Sequence, residues 1–221
     1  MVTGRSCDSV CWRRWVTLYR KDPTGIEADQ RLASLLSYDF LYTLTDWSRD
    51  GGSLLNTRRT AKTQKDIWVL PVTPDGHLEA NAQPTPYLST PVNEGAGRFL
   101  PEPNPRWIAY QSDESGRDEV YVQSFPEPRG PHRISTNGGV APQWASDGRE
   151  LFYQAPGGKV MVVNLKVGAD SVEASAPREL FALPPRSIFE VTPDGQRFLV
   201  RVPDPTPRAL TVMVNWPALL K

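Results

Sequence analysis

The stretch 143–163, QWASDGRELFYQAPGGKVMVV, decides the fold of this chain. It contains a run ending at Trp144, a Ser-Asp-Gly turn, the apolar run Leu151-Phe152-Tyr153 and, after Pro-Gly-Gly, the run Val160–Val163. Asp-Gly between two β-prone runs predicts a tight hairpin in which both turn residues take positive φ. The stretch therefore predicts three successive antiparallel strands.

The same turn recurs along the chain. It reads SRDG at 48–51 and TPDG at 192–195, and an apolar run follows each copy. Asp50 and Asp147 are 97 positions apart, and Asp147 and Asp194 are 47 positions apart, so the first spacing is about twice the second. A period of roughly 40 to 50 residues with several strands per unit is typical of propeller blades.

We therefore predict an all-β fold, a partial β-propeller with three full four-stranded antiparallel blades and a partial blade at each end. The full blades are predicted at about 40–90, 91–136 and 137–183. The partial blades are predicted at about 15–39 and 184–221, after an unstructured N-terminal stub at 1–14.

The third strand of each unit tests this interpretation. These strands read as continuous apolar runs at 67–70, 120–122, 160–163 and 212–214. A strand in a sheet with one solvent-exposed face should alternate apolar and polar residues, whereas a strand in a sheet covered on both faces reads as a continuous apolar run. The pattern favours blades that are each packed between two others.

The repeats resemble the TolB-type, WD-like propeller repeats found C-terminal to bacterial serine/threonine protein kinases. The resemblance rests on RWIAYQSDESGRDEVYVQSFPEP, RISTNGG, FEVTPDGQRFLVRVP, DWSRDGGSLL and DIWVLPV, besides the opening stretch. Two segments depart from it. At 99–105 the expected SPDG turn is replaced by LPEPNP, and residues 1–14 match nothing in the family.

The resemblance implies a non-catalytic module that binds protein or peptide, as the sensor or scaffold part of a kinase-linked protein. The alternative is the gating propeller of a prolyl-oligopeptidase-like hydrolase whose catalytic domain is encoded elsewhere. A remnant without function is a third possibility. The family usually has six or more blades, so the chain is expected either to be part of a longer protein or to self-associate to complete the propeller.

Motif searches predict that the chain is not an enzyme. It has no G-x-S-x-G elbow, no G-x-x-x-x-G-K-[ST] loop and no kinase H-R-D or D-F-G motif. Its two histidines, His77 and His132, are both predicted to lie at the surface. Cys7 and Cys11 lack further ligands for a zinc site, and the acidic segment 113–119 lacks the ligand spacing of a calcium loop. No metal and no cofactor are expected.

Charge and hydropathy limit the classes of partner that the sequence predicts. Lys plus Arg and Asp plus Glu number 25 each, so nothing indicates nucleic acid, and the basic loop with Arg58, Arg59, Lys62 and Lys65 is predicted to be solvated. No apolar stretch reaches the roughly 18 residues of a membrane span. The family works outside the cytoplasm, whereas this sequence shows no signal peptide, so the compartment stays open.

Candidate binding residues follow from propeller geometry. Loops that enter the inner strands cluster at the mouth of the central channel, and loops on a rigid scaffold commonly carry recognition. We predict Glu94, Asn137 and Arg186 as binding residues there. Trp47 and Trp144 are predicted to pack between blades, and the turn aspartates are predicted to cap their own turns.

Overall fold

A computed structural model describes residues 14–20, 30–37, 42–59, 64–73 and 82–203. These residues form seventeen β-strands and one 3-10 turn, Pro156–Gly158. Within this part of the chain, no helix is long and apolar enough to cross a membrane. The predicted third strand at 210–215 and both cysteines lie outside the described residues.

The first two strands make a sheet of their own. β1 (Arg14–Arg20) and β2 (Gln30–Ser37) pair antiparallel, with a bulge between Leu18 and Tyr19. The sequence predicted strands at both places, within the partial blade at 15–39. This hairpin precedes the four blades described next.

Two four-stranded antiparallel sheets follow, and in each the strands pair in chain order. We call them the first and second blades. The first blade consists of β3 (Tyr42–Trp47), β4 (Ser53–Arg58), β5 (Asp66–Pro71) and β6 (Thr85–Leu88). The second blade consists of β7 (Glu94–Phe99), β8 (Trp107–Ser112), β9 (Glu119–Ser124) and β10 (His132–Arg133).

The third blade has five strands, one more than predicted. β13 is nine residues long, and its C-terminal part pairs with the additional strand β14 while its N-terminal part pairs with β15. The strands are β11 (Val140–Trp144), β12 (Glu150–Ala155), β13 (Lys159–Val167), β14 (Val172–Ala174) and β15 (Arg178–Ala182). The fourth blade is described as the pair β16 (Ile188–Val191) and β17 (Phe198–Arg201).

The Asp-Gly turns have a different geometry from the one predicted. Positive φ occurs only at the glycines, 78° at Gly51, 69° at Gly148 and 71° at Gly195, and not at the aspartates. The amide of each glycine donates to the carbonyl three residues earlier, for example Gly148 to Ala145 at 2.9 Å. The turn is therefore a four-residue β-turn that needs only one left-handed residue, which glycine adopts without strain.

The turn aspartates cap their turns as predicted. Asp50 Oδ1 accepts a hydrogen bond from the amide of Gly52 at 2.9 Å. Asp147 Oδ1 accepts one from the amide of Arg149, also at 2.9 Å. These carboxylates therefore fix the hairpins that join the inner strand of a blade to its second strand.

Each blade has a leading face toward the preceding blade and a trailing face toward the following one. Residues that pair across strands share a face, so the register assigns each side chain. Leu55 on the trailing face of the first blade packs with Ile108 and Tyr110 on the leading face of the second. Phe152 on the trailing face of the third blade packs with Phe189 of the fourth. The three hydrophobic clusters thus lie at the three junctions between blades.

Hydrogen bonds also cross the junctions at repeated positions. Thr57 Oγ1 accepts from the amide of Ala96 at 3.1 Å, and at the next junction Gln111 Oε1 accepts from the amide of Ala141 at 3.1 Å. Both alanines have a φ of 52°, which is uncommon for a residue with a Cβ. The prediction of an all-β partial propeller with antiparallel blades is confirmed.

Candidate functional site

A groove lies between the second and third blades. It encloses about 610 Å³ and is lined by residues that include Leu100, Glu102, Arg106, Arg149, Lys166 and Val167. We call it the turn groove, because it lies at the Asp-Gly turn that follows β11. Its size suits a short peptide segment or a small molecule.

The segment that departs from the family pattern builds one wall of the turn groove. Residues 100–106 replace the compact Asp-Gly turn, and Glu102 holds the segment closed: its carboxylate accepts hydrogen bonds from the Arg106 guanidinium at 2.9 and 3.0 Å. The guanidinium of Arg49 donates to the carbonyl of Pro101 at 2.8 Å, which ties the segment to the first blade. The loop is therefore a fixed wall.

The opposite wall approaches this segment through a glycine. A Cβ added to Gly148 would lie 2.9 Å from Leu100 Cδ1, and its φ is 69°. The backbone conformation therefore favours glycine at this position, and a Cβ there would also require the Leu100 side chain to shift.

Two cations of the turn groove are available to a ligand. Arg106 is neutralised by Glu102, whereas no described residue forms a hydrogen bond or ion pair with the Arg149 guanidinium. Lys166 Nζ lies 3.9 Å from Glu173 Oε2, and both side chains are mostly exposed, so this pair is weak. The groove can therefore attract a carboxylate or another anion.

A second polar cluster lies at the ends of the inner strands. The residues just before Trp47, Phe99, Trp144 and Val191 are, one per blade, Asp46, Arg98, Gln143 and Glu190. They line a cavity of about 220 Å³, which we call the inner-strand cavity. Arg98 Nη2 lies 4.0 Å from Glu190 Oε1, although one blade separates them in sequence.

Much of this cluster holds the blades together. Asp46 Oδ2 accepts from the amide of Phe99 at 2.7 Å, and Gln143 Oε1 accepts from the amide of Val191 at 2.9 Å. Burial raises the pKa of the Asp46 carboxyl, and the hydrogen bonds from the amides of Phe99 and Trp47 and the Arg98 guanidinium oppose that rise. Glu190, at 62% side-chain exposure, is the member most open to solvent.

The three predicted binding residues have different environments. Asn137 lines a third cavity, of about 370 Å³, together with Tyr153, Lys159 and Glu179. Arg186 is exposed and has a φ of 62°. Glu94 is only 3% exposed and begins β7, so it can influence a ligand only through its neighbours. Neither Glu94 nor Arg186 lines the cavity at Asn137.

The Glu94 carboxylate is buried with half of its hydrogen-bonding capacity unused. Oε1 accepts a hydrogen bond from the Thr90 hydroxyl, whereas Oε2 is buried without a hydrogen bond among the described residues. Burial raises the pKa of this carboxyl, and the nearby carboxylates of Asp66 and Glu114 raise it further, against the Thr90 hydrogen bond. Folding therefore favours the protonated form.

Replacing Glu94 by glutamine is expected to flatten the pH dependence of stability. A carboxyl whose folded pKa is raised contributes stability below its unfolded pKa, near 4.5, and that stability is lost as pH rises through the folded pKa. Relative to Glu94→Gln, the wild type should therefore lose free energy of unfolding between pH 4 and pH 7. Urea unfolding at both pH values measures this, and a constant difference between the proteins would contradict it.

One of the two histidines lies in the described part of the chain. His132 packs against Trp107 with ring centroids 5.9 Å apart, and His77 lies outside the described residues. Within the described ranges, no group of three or more His, Cys, Asp or Glu side chains is arranged to hold a metal ion.

Sequence reasoning did not identify the two polar cavities. The inner-strand cluster could have been found by reading the residue before each aligned Trp47, Trp144 and Val191. The turn groove was signalled by the irregular segment LPEPNP, which was noted only as a departure from the family.

Comparison with solved structures identifies the fold. A protein from Bacteroides uniformis that is named as a 6-phosphogluconolactonase is 15% identical, with a TM-score of 0.56 over 84% of this chain and 57% of its own. The periplasmic gluconolactonase of Pseudomonas aeruginosa is 19% identical, with a TM-score of 0.53 over 83% of this chain and 56% of its own. TolB from Acinetobacter baumannii is 17% identical, with a TM-score of 0.48 over 80% of this chain and 43% of its own.

The similarities to the two lactonase propellers, with TM-scores of 0.56 and 0.53, establish the β-propeller fold. The chain spans from 43% to 57% of the length of these three propellers. No protein-family model matches the sequence, and no curated protein matches it.

The prediction that the chain is not an enzyme is contradicted by these neighbours. Propellers of similar shape include proteins named as lactonases, at low sequence identity. The motif searches tested for nucleophile elbows and phosphate loops, which belong to other folds. A propeller can instead bring polar side chains together from several blades, as the inner-strand cavity does, so motif absence does not exclude catalysis.

Proposed function

We propose that the chain binds a protein or peptide segment, and that the turn groove receives it. The observation that carries this proposal is the fixed wall at 100–106, where the repeat is broken and one side of the turn groove is formed. Arg149 and Lys166 favour an acidic segment. The predicted residues Glu94, Asn137 and Arg186, in or beside the loops that enter the inner strands, are the second location proposed for such binding.

Panning a phage-displayed random dodecapeptide library on the purified chain tests this proposal. Selected peptides should be enriched in Asp and Glu. Their affinity should fall at least about tenfold in the Arg149→Ala/Lys166→Ala variant, and it should weaken with salt.

Asn137→Ala/Arg186→Ala is the matched control variant. It should retain the affinity for these peptides, because both substitutions lie outside the turn groove. Loss of binding in this variant alone would move the site to the entry loops. A library that yields no saturable binder would contradict the binding function itself.

The sequence resemblance, by itself, supports a finer proposal, that this module is the sensor or scaffold part of a kinase-linked protein. Reading the genomic sequence around its coding region tests it. A kinase domain upstream would agree with the proposal, whereas a G-x-S-x-G hydrolase domain would favour the gating propeller of a prolyl-oligopeptidase-like enzyme.

A lactone hydrolase is the second candidate function, and the inner-strand cavity favours it. Arg98 could stabilise a developing oxyanion, and Glu190 could accept a proton from the attacking water. With glucono-δ-lactone in a pH-stat, this function requires acid release above the spontaneous rate. That excess should fall at least about tenfold in Glu190→Gln. Release at the spontaneous rate would leave this candidate without support.

A further inference from the structure

The third strand of the third blade continues past the point where its counterparts end. In the second blade the amide of Phe125 donates to the carbonyl of Arg106 at 2.7 Å, directly after β9 has ended. In the third blade the amide of Leu165 donates to the carbonyl of Arg149, also at 2.7 Å, but β13 runs on to Val167. Residues 165–167 pair with β14, and we call residues 165–174 the projecting hairpin.

One edge of the long strand is paired with β14. The carbonyl of Asn164 accepts a hydrogen bond from the amide of Ser175 at 2.9 Å, and the amide of Gly168 donates to the carbonyl of Ser171 at 2.8 Å. Backbone groups of successive residues in an antiparallel strand point to opposite edges. The even-numbered residues of this part of the chain therefore direct their amides and carbonyls toward β14.

The opposite edge of the projecting hairpin is open. The pairing of β12 with β13 ends at Asn164, and the Leu165 amide makes the last hydrogen bond on that side, to Arg149. By the same alternation, the carbonyl of Leu165 and both backbone groups of Val167 point to this edge. No residue in the described ranges forms a hydrogen bond with these three groups. A strand edge of this kind can pair with a further strand.

This open edge lies in the turn groove. The groove is lined by the four successive residues 164–167. Side chains of successive strand residues point to opposite faces of a sheet, so a cavity lined by such a run faces the edge of the strand and not one of its faces. The segment 100–106 forms the other wall. A segment bound in the groove would therefore lie alongside the backbone of Val167.

We propose that the open edge of the projecting hairpin binds an extended acidic peptide as an added β-strand. The inference rests on the proposed peptide binding in the turn groove and specifies how the peptide is recognised. The three free backbone groups supply main-chain hydrogen bonds, which hold an extended segment of any sequence. Arg149 and Lys166 then select acidic side chains. A helical or compactly folded ligand cannot make the main-chain hydrogen bonds.

N-methylation of a selected peptide tests the inference with the wild-type chain. The dodecapeptide of highest affinity is synthesised with one N-methyl group at each position in turn. Alternate residues of an added strand point to the pairing edge. N-methylation should therefore lower the affinity at least about tenfold at every second position of a short run, and by much less at the positions between. Isothermal titration calorimetry measures each dissociation constant.

Val167→Pro tests the same hydrogen bonds from the side of the protein. Proline removes the amide at the open edge, and it leaves the pairing with β14 in place because the Val167 amide points away from β14. Peptide affinity should fall at least about tenfold. Val167→Ala, the matched control that keeps the amide, should bind nearly as wild type does. Circular dichroism verifies that both variants are folded, and the N-methylation series does not depend on either of them.

The outcomes separate strand addition from peptide binding as such. A peptide that loses affinity in Arg149→Ala/Lys166→Ala but tolerates N-methylation at every position would overturn strand addition and leave the proposed function intact. Unchanged affinity in a folded Val167→Pro variant would have the same meaning. A library without a saturable binder would contradict both the binding function and this inference.

Discussion

The Phe152→Ala variant is expected to lose about 3 to 5 kcal/mol of unfolding free energy. Phe152 is 2% exposed at the junction of the third and fourth blades. It packs edge-on against Phe198 with ring centroids 5.5 Å apart, within a cluster that includes Phe189 and Val160. Truncation removes the buried ring and leaves a cavity that two rigid sheets cannot collapse to fill. Urea unfolding followed by circular dichroism measures the loss.

Leu199→Ala is the matched control for this prediction. Leu199 occupies the same place in the fourth blade but is 74% exposed in the single chain, so truncation should cost less than about 0.5 kcal/mol. Equal losses in both variants would mean that burial between blades does not stabilise the fold.

The repeat made the architecture readable from the sequence. Trp144 marks the end of one strand, the Asp147-Gly148 turn marks the reversal of the chain, and the run 151–153 marks the next strand. The period predicts the same features in the other blades. The apolar runs at 120–122 and 160–163 indicated that blades are covered on both faces, and Val120, Val122 and Val160 are fully or almost fully buried. Local pattern and tertiary packing agree in these segments, which is why prediction succeeded.

Prediction was weaker where position in the blade series decides the environment. Trp47 and Trp144 have the same sequence context, yet Trp144 is 9% exposed and Trp47 is 43% exposed. A motif gives the residue's place within a blade but not whether another blade covers it. The difference between the two tryptophans is therefore a property of the assembly of blades.

The binding-residue prediction met a similar limit. Glu94 was chosen because it precedes an inner strand, and the structure shows its carboxylate turned into the protein. Whether a loop residue faces solvent depends on side-chain contacts such as the hydrogen bond from Thr90, which no periodicity encodes. The polar residues that line cavities come from different blades, so only the folded arrangement of blades brings them together.

Glu119 is expected to be a strong stabilising carboxylate, in contrast to Glu94. It is fully buried at the start of β9, and it accepts hydrogen bonds from the Ser135 hydroxyl, the Gly138 amide at 3.0 Å and the Arg117 guanidinium at 2.8 Å. Burial alone would raise its pKa, but these three donors together lower the pKa below its usual value. The carboxylate thereby ties the turn before β11 to the second blade.

Replacing Glu119 by glutamine should lower the free energy of unfolding at pH 7 by about 2 to 3 kcal/mol. The amide has one accepting oxygen in place of two, and the buried donors lose the negative charge with which they pair. The Arg117 side chain is more than half exposed, so solvent screening keeps the loss below that of a fully buried ion pair.

The pH dependence separates this role from that of a merely bulky side chain. A lowered folded pKa contributes stability above the unfolded pKa of about 4.5, and this stability is lost as pH falls through the folded pKa. The wild type should therefore lose its advantage over Glu119→Gln on acidification, opposite in sign to Glu94→Gln.

Glu179→Gln, which breaks the exposed pair with Lys159, should change stability by less than about 0.5 kcal/mol and serves as the control. Urea titrations at pH 7 and pH 3 measure the free energy of unfolding of the wild type, Glu119→Gln and Glu179→Gln. If the difference between wild type and Glu119→Gln were the same at both pH values, the charge on Glu119 would not be what stabilises the junction.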